Sequence, residues 1–190
     1  MQKALKYTIF KTKWGYFGLA GTEYGLLRTH LPGPEPEKIK SQLLKNPSLL
    51  NRASSIKYRE SSIKFDKTFF EATQEQIAAY FDGACVNFRD ITIVLDGVSF
   101  FVTSVLTACR NIGFGRTISY SGLAKKLGRP AAARAVGNAL AKNPLPLIIP
   151  CHRIVHSDGK IGGFSAPGGK DLKAKLLKHE HAALIDCKSL

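Results

Sequence analysis

Apolar residues fall into short alternating runs over the first thirty positions and into helical spacing towards the end of the chain, so the pattern itself divides the sequence. Residues 7–11, 16–20 and 25–29 read as three short strands. Trp14-Gly15 and the stretch from Gly21 to Gly25 supply the turns between them, and a meander is the simplest arrangement. Pro32-Gly-Pro-Glu-Pro36 ends the strands, and residues 37–45 read as a helix with Ile39, Leu43 and Leu44 on one side. Residues 46–72 resist assignment, because Ile56, Tyr58, Ile63 and Phe65 stand isolated among Ser, Lys and Arg. Thr73, with Gln76 three residues on, reads as the N-cap of a short helix ending at Gly83. Residues 91–95 have strand character, stopping at Asp96-Gly97.

From Val98 the spacing becomes helical. Phe101, Val105, Leu106 and Cys109 share one side of a helix that ends around Asn111-Ile-Gly113, and Cys109 is expected in the core. Residues 117–128 and 131–142 then form two helices joined by a short glycine-containing turn, with Pro130 at the start of the second, where its missing N–H costs nothing. This is the spacing of a helix-turn-helix, and a helical hairpin packed inside the protein fits it too. The second helix is rich in small residues, among them Ala131, Ala132, Ala135 and Gly137, which lets its backbone approach closely whatever it faces. The expected class is α+β: a strand-rich N-terminal domain, residues 1–96, followed by a mainly helical C-terminal domain, residues 97–190, with a helix-turn-helix.

Charge sharpens the division. The chain of 190 residues carries a formal charge of +14, of which residues 97–190 supply +10, with 14 Lys and Arg against 4 acids. That imbalance favours a polyanionic partner, since basic side chains gain affinity for nucleic acid by releasing condensed counterions, although basic surfaces also serve solubility alone. No segment approaches the roughly 18 uninterrupted apolar residues of a membrane helix, and Met1-Gln2-Lys3 leads into no apolar signal core. A soluble, cytoplasmic protein without a membrane partner is therefore expected. Cys85, Cys109, Cys151 and Cys187 form no C-x-x-C pair, which argues against a zinc site, and no disulfide framework is expected without a secretion signal.

The chemically informative stretch runs from Asn143 to Val155. Prolines on both sides of a β-branched run fix the backbone and deliver Cys151-His152 at its end. A thiol reacts as the thiolate, whose pKa is lowered by a neighbouring imidazole or arginine, and His152 and Arg153 follow at once. On an extended chain the two side chains would point to opposite faces, so His152 would act through a bridging water. A Cys-His pair taken alone is a weak signal, and such a cysteine is more often structural than reactive.

Pro150-Cys-His-Arg-Ile154 resembles the Pro-Cys-His-Arg-(Val/Ile) signature of the O6-alkylguanine-DNA alkyltransferases, also called methylated-DNA protein-cysteine methyltransferases. The resemblance continues through Ser119-Tyr120, Arg134-Ala-Val-Gly137, Asn143-Pro144, Gly162-Gly-Phe-Ser165 and Leu177-Lys-His-Glu180, and so covers about residues 98–182. It implies that Cys151 is the alkyl acceptor, activated through a water by His152, which Glu180 orients. It implies that Tyr120 donates a hydrogen bond to the guanine and helps rotate the nucleotide, and that Arg134 fills the space left in the duplex. Ala132, Ala135 and Gly137 would then face the minor groove. Asn143 resembles the family's hinge, and Ile154, Phe164 and Ser165 its guanine-recognising elements. The resemblance also implies an N-terminal α/β ribonuclease-H-like domain with a structural role. The implied activity is single-turnover, suicidal transfer of a methyl or other alkyl group from O6 of guanine, with O4 of thymine a second possible source. The implied partner is double-stranded DNA bound by a monomer, in nucleoid or nucleus, without cofactor or metal.

Departures from the pattern remove no reacting atom. Phe164 and Ala166 stand where many members carry Tyr and Gly, Gly113-Phe-Gly115 replaces Pro-Tyr-Gly, and Leu106 replaces a frequent Trp. Ala166 is expected to add a methyl near the pocket wall and disfavour bulky adducts. Two rival readings are a DNA-binding sensor of alkylguanine that does no repair, against which Cys151 speaks, and a Cys-His-Glu hydrolase, which would leave the helix-turn-helix unexplained.

Overall fold

The structure, a computed structural model, describes residues 4–45, 63–95 and 97–188. Ile56, Tyr58 and Asp96, which entered the sequence reading, lie outside the described residues. The chain divides into two compact units, Met1–Asp82 with Asp90–Val98, and Gly83–Arg89 with Ser99–Leu190.

In the first unit the expected meander is present as β1 (Leu5–Thr12), β2 (Gly15–Thr22) and β3 (Gly25–Gly33), antiparallel and in sequence order. A short strand, β4 (Ile63–Phe65), adds parallel to β1, giving the order β3-β2-β1-β4. Alternation along β2 sends neighbouring residues to opposite faces. Gly18 faces helix α1 (Pro36–Leu44), where an added Cβ would lie 2.9 Å from Ile39 and 3.1 Å from Leu43. Phe17 faces helix α2 (Glu71–Asp82), its ring 6.1 Å from that of Phe81. Helices thus cover both faces, which explains why β2 is buried without interruption from Phe17 to Thr22.

Two boundaries differ from expectation. Thr73 lies inside α2 rather than capping it, because the turn before the helix is closed earlier: Gln74 N–H donates to Phe70 O at 2.9 Å, and Gln74 Nε2 donates to Lys67 O and Phe69 O. The strand expected at 91–95 is reduced to a single bridge, Ile93 to Leu26, held by bonds of 2.9 and 2.8 Å that Leu26 makes with Thr92 and Val94.

The second unit is mainly helical. Helix α3 (Phe100–Arg110) is capped by Ser99, whose Oγ accepts from Val102 N–H, and buries Val102, Val105, Leu106 and Cys109. A two-residue strand, β5 (Ile118–Ser119), leads into α4 (Tyr120–Lys126), and Ser119 Oγ caps it by accepting from Gly122 N–H at 2.9 Å. Pro130 opens a 3-10 turn, Pro130–Ala132, and only then does α5 (Ala133–Leu140) begin, two residues later than the pattern suggested. Strand β6 (Ile154–Val155) pairs parallel with β5, and the long helix α6 (Gly169–Lys188) closes the unit. Among the described residues no helix is long and apolar enough to cross a membrane.

The expectation of no disulfide is corrected in one respect. Cys85 and Cys187 are bonded across 102 residues, joining the 83–89 segment to the end of α6, whereas Cys109 and Cys151 are free and buried. Sequence spacing gave no warning, because the pairing depends on α6 returning to a segment far away in the chain.

Candidate active site

Asn143 builds the segment that carries the thiol. Its Oδ1 accepts from Leu145 N–H at 3.0 Å and its Nδ2 donates to Ile149 O at 2.9 Å, so one amide closes residues 143–149 into a loop. Leu147 within that loop sits at φ 80°, a left-handed conformation that a leucine holds only when its buried surroundings impose it. The segment then enters a 3-10 turn, Cys151–Arg153, rather than the extended chain expected, and all three side chains turn inward. Asn143 Nδ2 also donates to Cys151 Sγ at 3.1 Å. Burial nevertheless dominates and raises the resting Cys151 pKa above the ordinary thiol value, against the Asn143 bond and the charge of Lys173. The expected lowering by His152 and Arg153 is absent because both side chains are engaged elsewhere.

They are engaged with Glu180, a buried carboxylate on α6. His152 Nε2 lies 2.7 Å from Glu180 Oε1, Arg153 Nε and a terminal nitrogen hold both carboxylate oxygens at 2.8–3.1 Å, and Gly115 N–H donates to Oε2 at 3.1 Å. The remaining Arg153 nitrogen donates to Ile112 O at 2.7 Å. Burial pushes the Glu180 carboxyl up, but the bonds and charges of His152 and Arg153 outweigh it and hold it well below the usual carboxylate range. Burial lowers His152 in spite of Glu180, so the resting ring is neutral. A neutral ring facing a carboxylate through Nε2 carries its proton there, which leaves Nδ1 as a lone-pair acceptor. Nδ1 is buried and has no hydrogen-bond partner among the described residues.

Cys151, though only 7% exposed, opens into a cavity of about 540 Å³, within the range typical of small-ligand sites, roughly 300–1,000 Å³. Tyr120, Arg134, Gly137, Phe164, Ser165 and His156 are among its lining residues. The Tyr120 ring fits because of Gly162, where an added Cβ would fall 2.5 Å from the phenol oxygen and 2.8 Å from the ring. Behind the ring, Lys173 on α6 reaches the phenol oxygen at 3.4 Å.

Residues 100–182 match the family model described as "6-O-methylguanine DNA methyltransferase, DNA binding domain". A protein of Methanosarcina acetivorans named methylated-DNA--protein-cysteine methyltransferase is 34% identical over 92% of this chain and 97% of its own length. The chain belongs to this methyltransferase family. A family member of the same name from Cricetulus griseus is 34% identical over 93% of this chain and 82% of its own. Among solved structures, that of Mycobacterium tuberculosis OGT in complex with DNA superposes with a TM-score of 0.72 at 29% identity, covering 94% of both chains. The O6-methylguanine-DNA methyltransferase of Pyrococcus kodakaraensis, at 23% identity and a TM-score of 0.68 over 93% of this chain and 98% of its own, shows the same fold.

In this methyltransferase-family chain the expected site residues fall into three groups. His152 and Glu180 come together in the buried cluster, and Cys151, next to His152 in the chain, shares the cavity with Tyr120, Arg134, Gly137, Phe164 and Ser165. Asn143 and Ile154 are not among the lining residues: Asn143 holds the reactive turn, and Ile154 is fully buried with its carbonyl on Lys173. Ala132 and Ala135 are also outside the lining, half-buried and exposed respectively, near Arg134 in the chain. Ala166 follows the lining residue Ser165 but is not itself in the lining, and its carbonyl accepts from Gly169 N–H at 3.0 Å. Three residues were missed. Arg153 was read as part of the signature and as a charge near the thiol, not as the partner of Glu180, His156 gave no signal, and Lys173 was hidden in a run of lysines, although its spacing of three from Leu176 and seven from Glu180 puts it on the buried side of α6.

Proposed function

We propose that this protein repairs DNA by direct reversal, moving a methyl or other alkyl group from O6 of guanine onto Cys151 in a single turnover. The observation that carries the reading is a buried thiol opening into a cavity and seated beside a neutral histidine whose partner-free nitrogen can take a proton. Glu180, locked by Arg153, fixes the His152 tautomer and stabilises the imidazolium that forms. His152 Nδ1 receives the thiol proton through a water, and the sulfur attacks the alkyl carbon in line. The C–O6 bond breaks, guanine leaves while a ring nitrogen is protonated, and a stable thioether remains.

The base reaches the cavity by rotating out of the duplex, which costs a few kcal/mol that inserted side chains and phosphate contacts offset. Arg134, exposed near the start of α5 and lining the cavity, would enter the vacated stack, with Ala132, Ala135 and Gly137 against the minor groove. Tyr120 donates to the purine, and Phe164 and Ser165 contact it. The N-terminal unit is a structural domain of ribonuclease-H-like type, and the protein works inside the cell as a monomer on double-stranded DNA.

Intact mass after incubation with O6-methylguanine duplex tests the reading. A gain of one methyl on the peptide holding Cys151 supports repair, binding without gain points to a sensor, and turnover of an acyl substrate points to a hydrolase. Cys151→Ser should abolish transfer and leave affinity for duplex DNA within about twofold, since the side chain is buried inside the protein and phosphate contacts, which set most of the affinity, come from exposed groups.

A further inference from the structure

Lys173 is a buried charge to which the mechanism above gives no task. Its side chain is wholly inaccessible, whereas Lys170, Lys175 and Lys178 on the same helix are exposed. An ammonium loses its hydration on burial and, for packing alone, Met or Leu would fill the same space at lower cost. Yet Lys173 has no carboxylate partner among the described residues, because Glu180 is engaged by His152, Arg153 and Gly115. Its three donors go instead to Ile154 O, immediately after the reactive turn, to Gly163 O at 3.5 Å, beside Phe164 and Ser165, and to the Tyr120 oxygen at 3.4 Å. One ammonium therefore ties together the acceptor segment, the glycine loop and the phenol that line the cavity.

We propose that Lys173 is a positioning residue whose fixed positive charge favours the Cys151 thiolate and whose bond to Tyr120 aims the phenol proton at the departing purine. The inference rests on the alkyl-transfer reading and extends it to a residue outside the cysteine–histidine–glutamate cluster. As the Sγ–carbon bond forms, the electron pair of the carbon–O6 bond passes to guanine, and a ring nitrogen takes the Tyr120 proton. Lys173 holds the resulting phenolate until it regains a proton from solvent, while the imidazolium of His152 returns one. The sums balance: thiol and alkyl ether become thioether and guanine, with no change in net oxidation. At the thiol the electrostatic coupling runs in the required sense, since burial raises Cys151 and Cys109 while the Lys173 charge lowers both, and the two sulfurs in turn raise Lys173 against its own burial. Burial and the two sulfurs raise Tyr120, so its phenol keeps its proton until a purine becoming an anion takes it.

Lys173→Met and Lys173→Arg separate charge from packing. The full chain, without DNA, is treated with iodoacetamide over a pH series, and labelling of the Cys151 peptide is followed by mass. Lys173→Met should slow labelling at neutral pH roughly tenfold and move its midpoint to higher pH, with Lys173→Arg restoring most of the parent rate. Equal profiles in parent and Lys173→Met, or a Lys173→Arg profile no closer to the parent than that of Lys173→Met, would overturn the proposal. Should either variant fail to fold by circular dichroism, lysine-selective ¹⁵N NMR of the parent decides. An exchange-protected ammonium that shifts when Cys151 is alkylated supports it, and a neutral Lys173 amine at neutral pH refutes it. Iodoacetamide needs no lesion, so a parent that labels as expected but takes no methyl from O6-methylguanine DNA would sink the proposed function and leave the role of Lys173 in thiol ionisation standing.

Discussion

Replacing Glu180 by glutamine changes one charge and almost no volume, and the structure allows its consequence to be worked through. The carboxylate accepts from His152, Arg153 and Gly115 in a site it shares with no solvent. Glutamine keeps one oxygen acceptor but turns an amide NH₂ towards donors, leaving the Arg153 guanidinium buried without a counter-charge. Breaking a buried pair in this way costs about 3–5 kcal/mol, and the retained oxygen argues for the lower end. For a chain of this size roughly 3 kcal/mol corresponds to a Tm about 6–12 °C lower. The same substitution frees the His152 tautomer, and loss of a positioned base should slow methyl transfer about hundredfold. Thermal unfolding and single-turnover transfer from O6-methylguanine duplex provide the two readings. Adding Arg153→Met to Glu180→Gln should recover part of the stability, because the orphaned charge is gone, without recovering transfer. A Glu180→Gln protein that melts within about 2 °C of the parent and transfers at an undiminished rate would refute both the pairing energy and the orienting role.

Other consequences follow from the same geometry. Gly162→Ala should displace the Tyr120 ring, since the new Cβ would fall 2.5 Å from its oxygen; transfer should fall at least about tenfold with duplex affinity kept, and parent-like transfer would show that the ring position does not matter. Reducing the Cys85–Cys187 bridge, or Cys85→Ser, should cost up to about 4–5 kcal/mol by the loop-entropy estimate for a closure of this length; matching urea midpoints in oxidised and reduced protein would show that the bridge adds nothing. Acid should destabilise the protein. Both His152 and Glu180 have folded pKa values below their unfolded ones, so their contribution is complete above about pH 6.5 and is lost as pH falls through the histidine and carboxylate ranges. Urea midpoints that stay constant from about pH 7.5 to 4 would contradict this.

The parts of the molecule that were legible in its sequence are those governed by local rules. The meander follows from strand alternation and glycine turns, and α3 from an i, i+4 stripe. Thr73 misled because a cap signature competes with whatever else can close the first turn, and Gln74 does so earlier. The 91–95 strand shrank to a bridge because its pairing depends on β3, which local spacing does not report. At the site, Cys151, His152, Arg153 and Glu180 were recognisable as parts of a motif, whereas the hold of Arg153 on Glu180 and the place of Lys173 were not, because a buried cation looks like a surface one until its acceptors are known. The disulfide and the β5–β6 pairing share that character: each joins residues more than thirty positions apart.

The raised Cys151 pKa makes chemical sense for a protein that is consumed by its own reaction. A permanently ionised thiol at the mouth of a cavity would react with any electrophile, and each such event would spend the molecule. Burial keeps the sulfur protonated at rest, while the Asn143 bond and the charge of Lys173 act towards its ionisation. Excluding water from the cavity strengthens each of those interactions, because charges and dipoles act more strongly in a low dielectric. A purine that fills the cavity would therefore help to create the nucleophile that attacks its substituent. Reactivity would then be conditional on a base being present, with the selectivity lying in the surroundings of the sulfur and not in the sulfur itself.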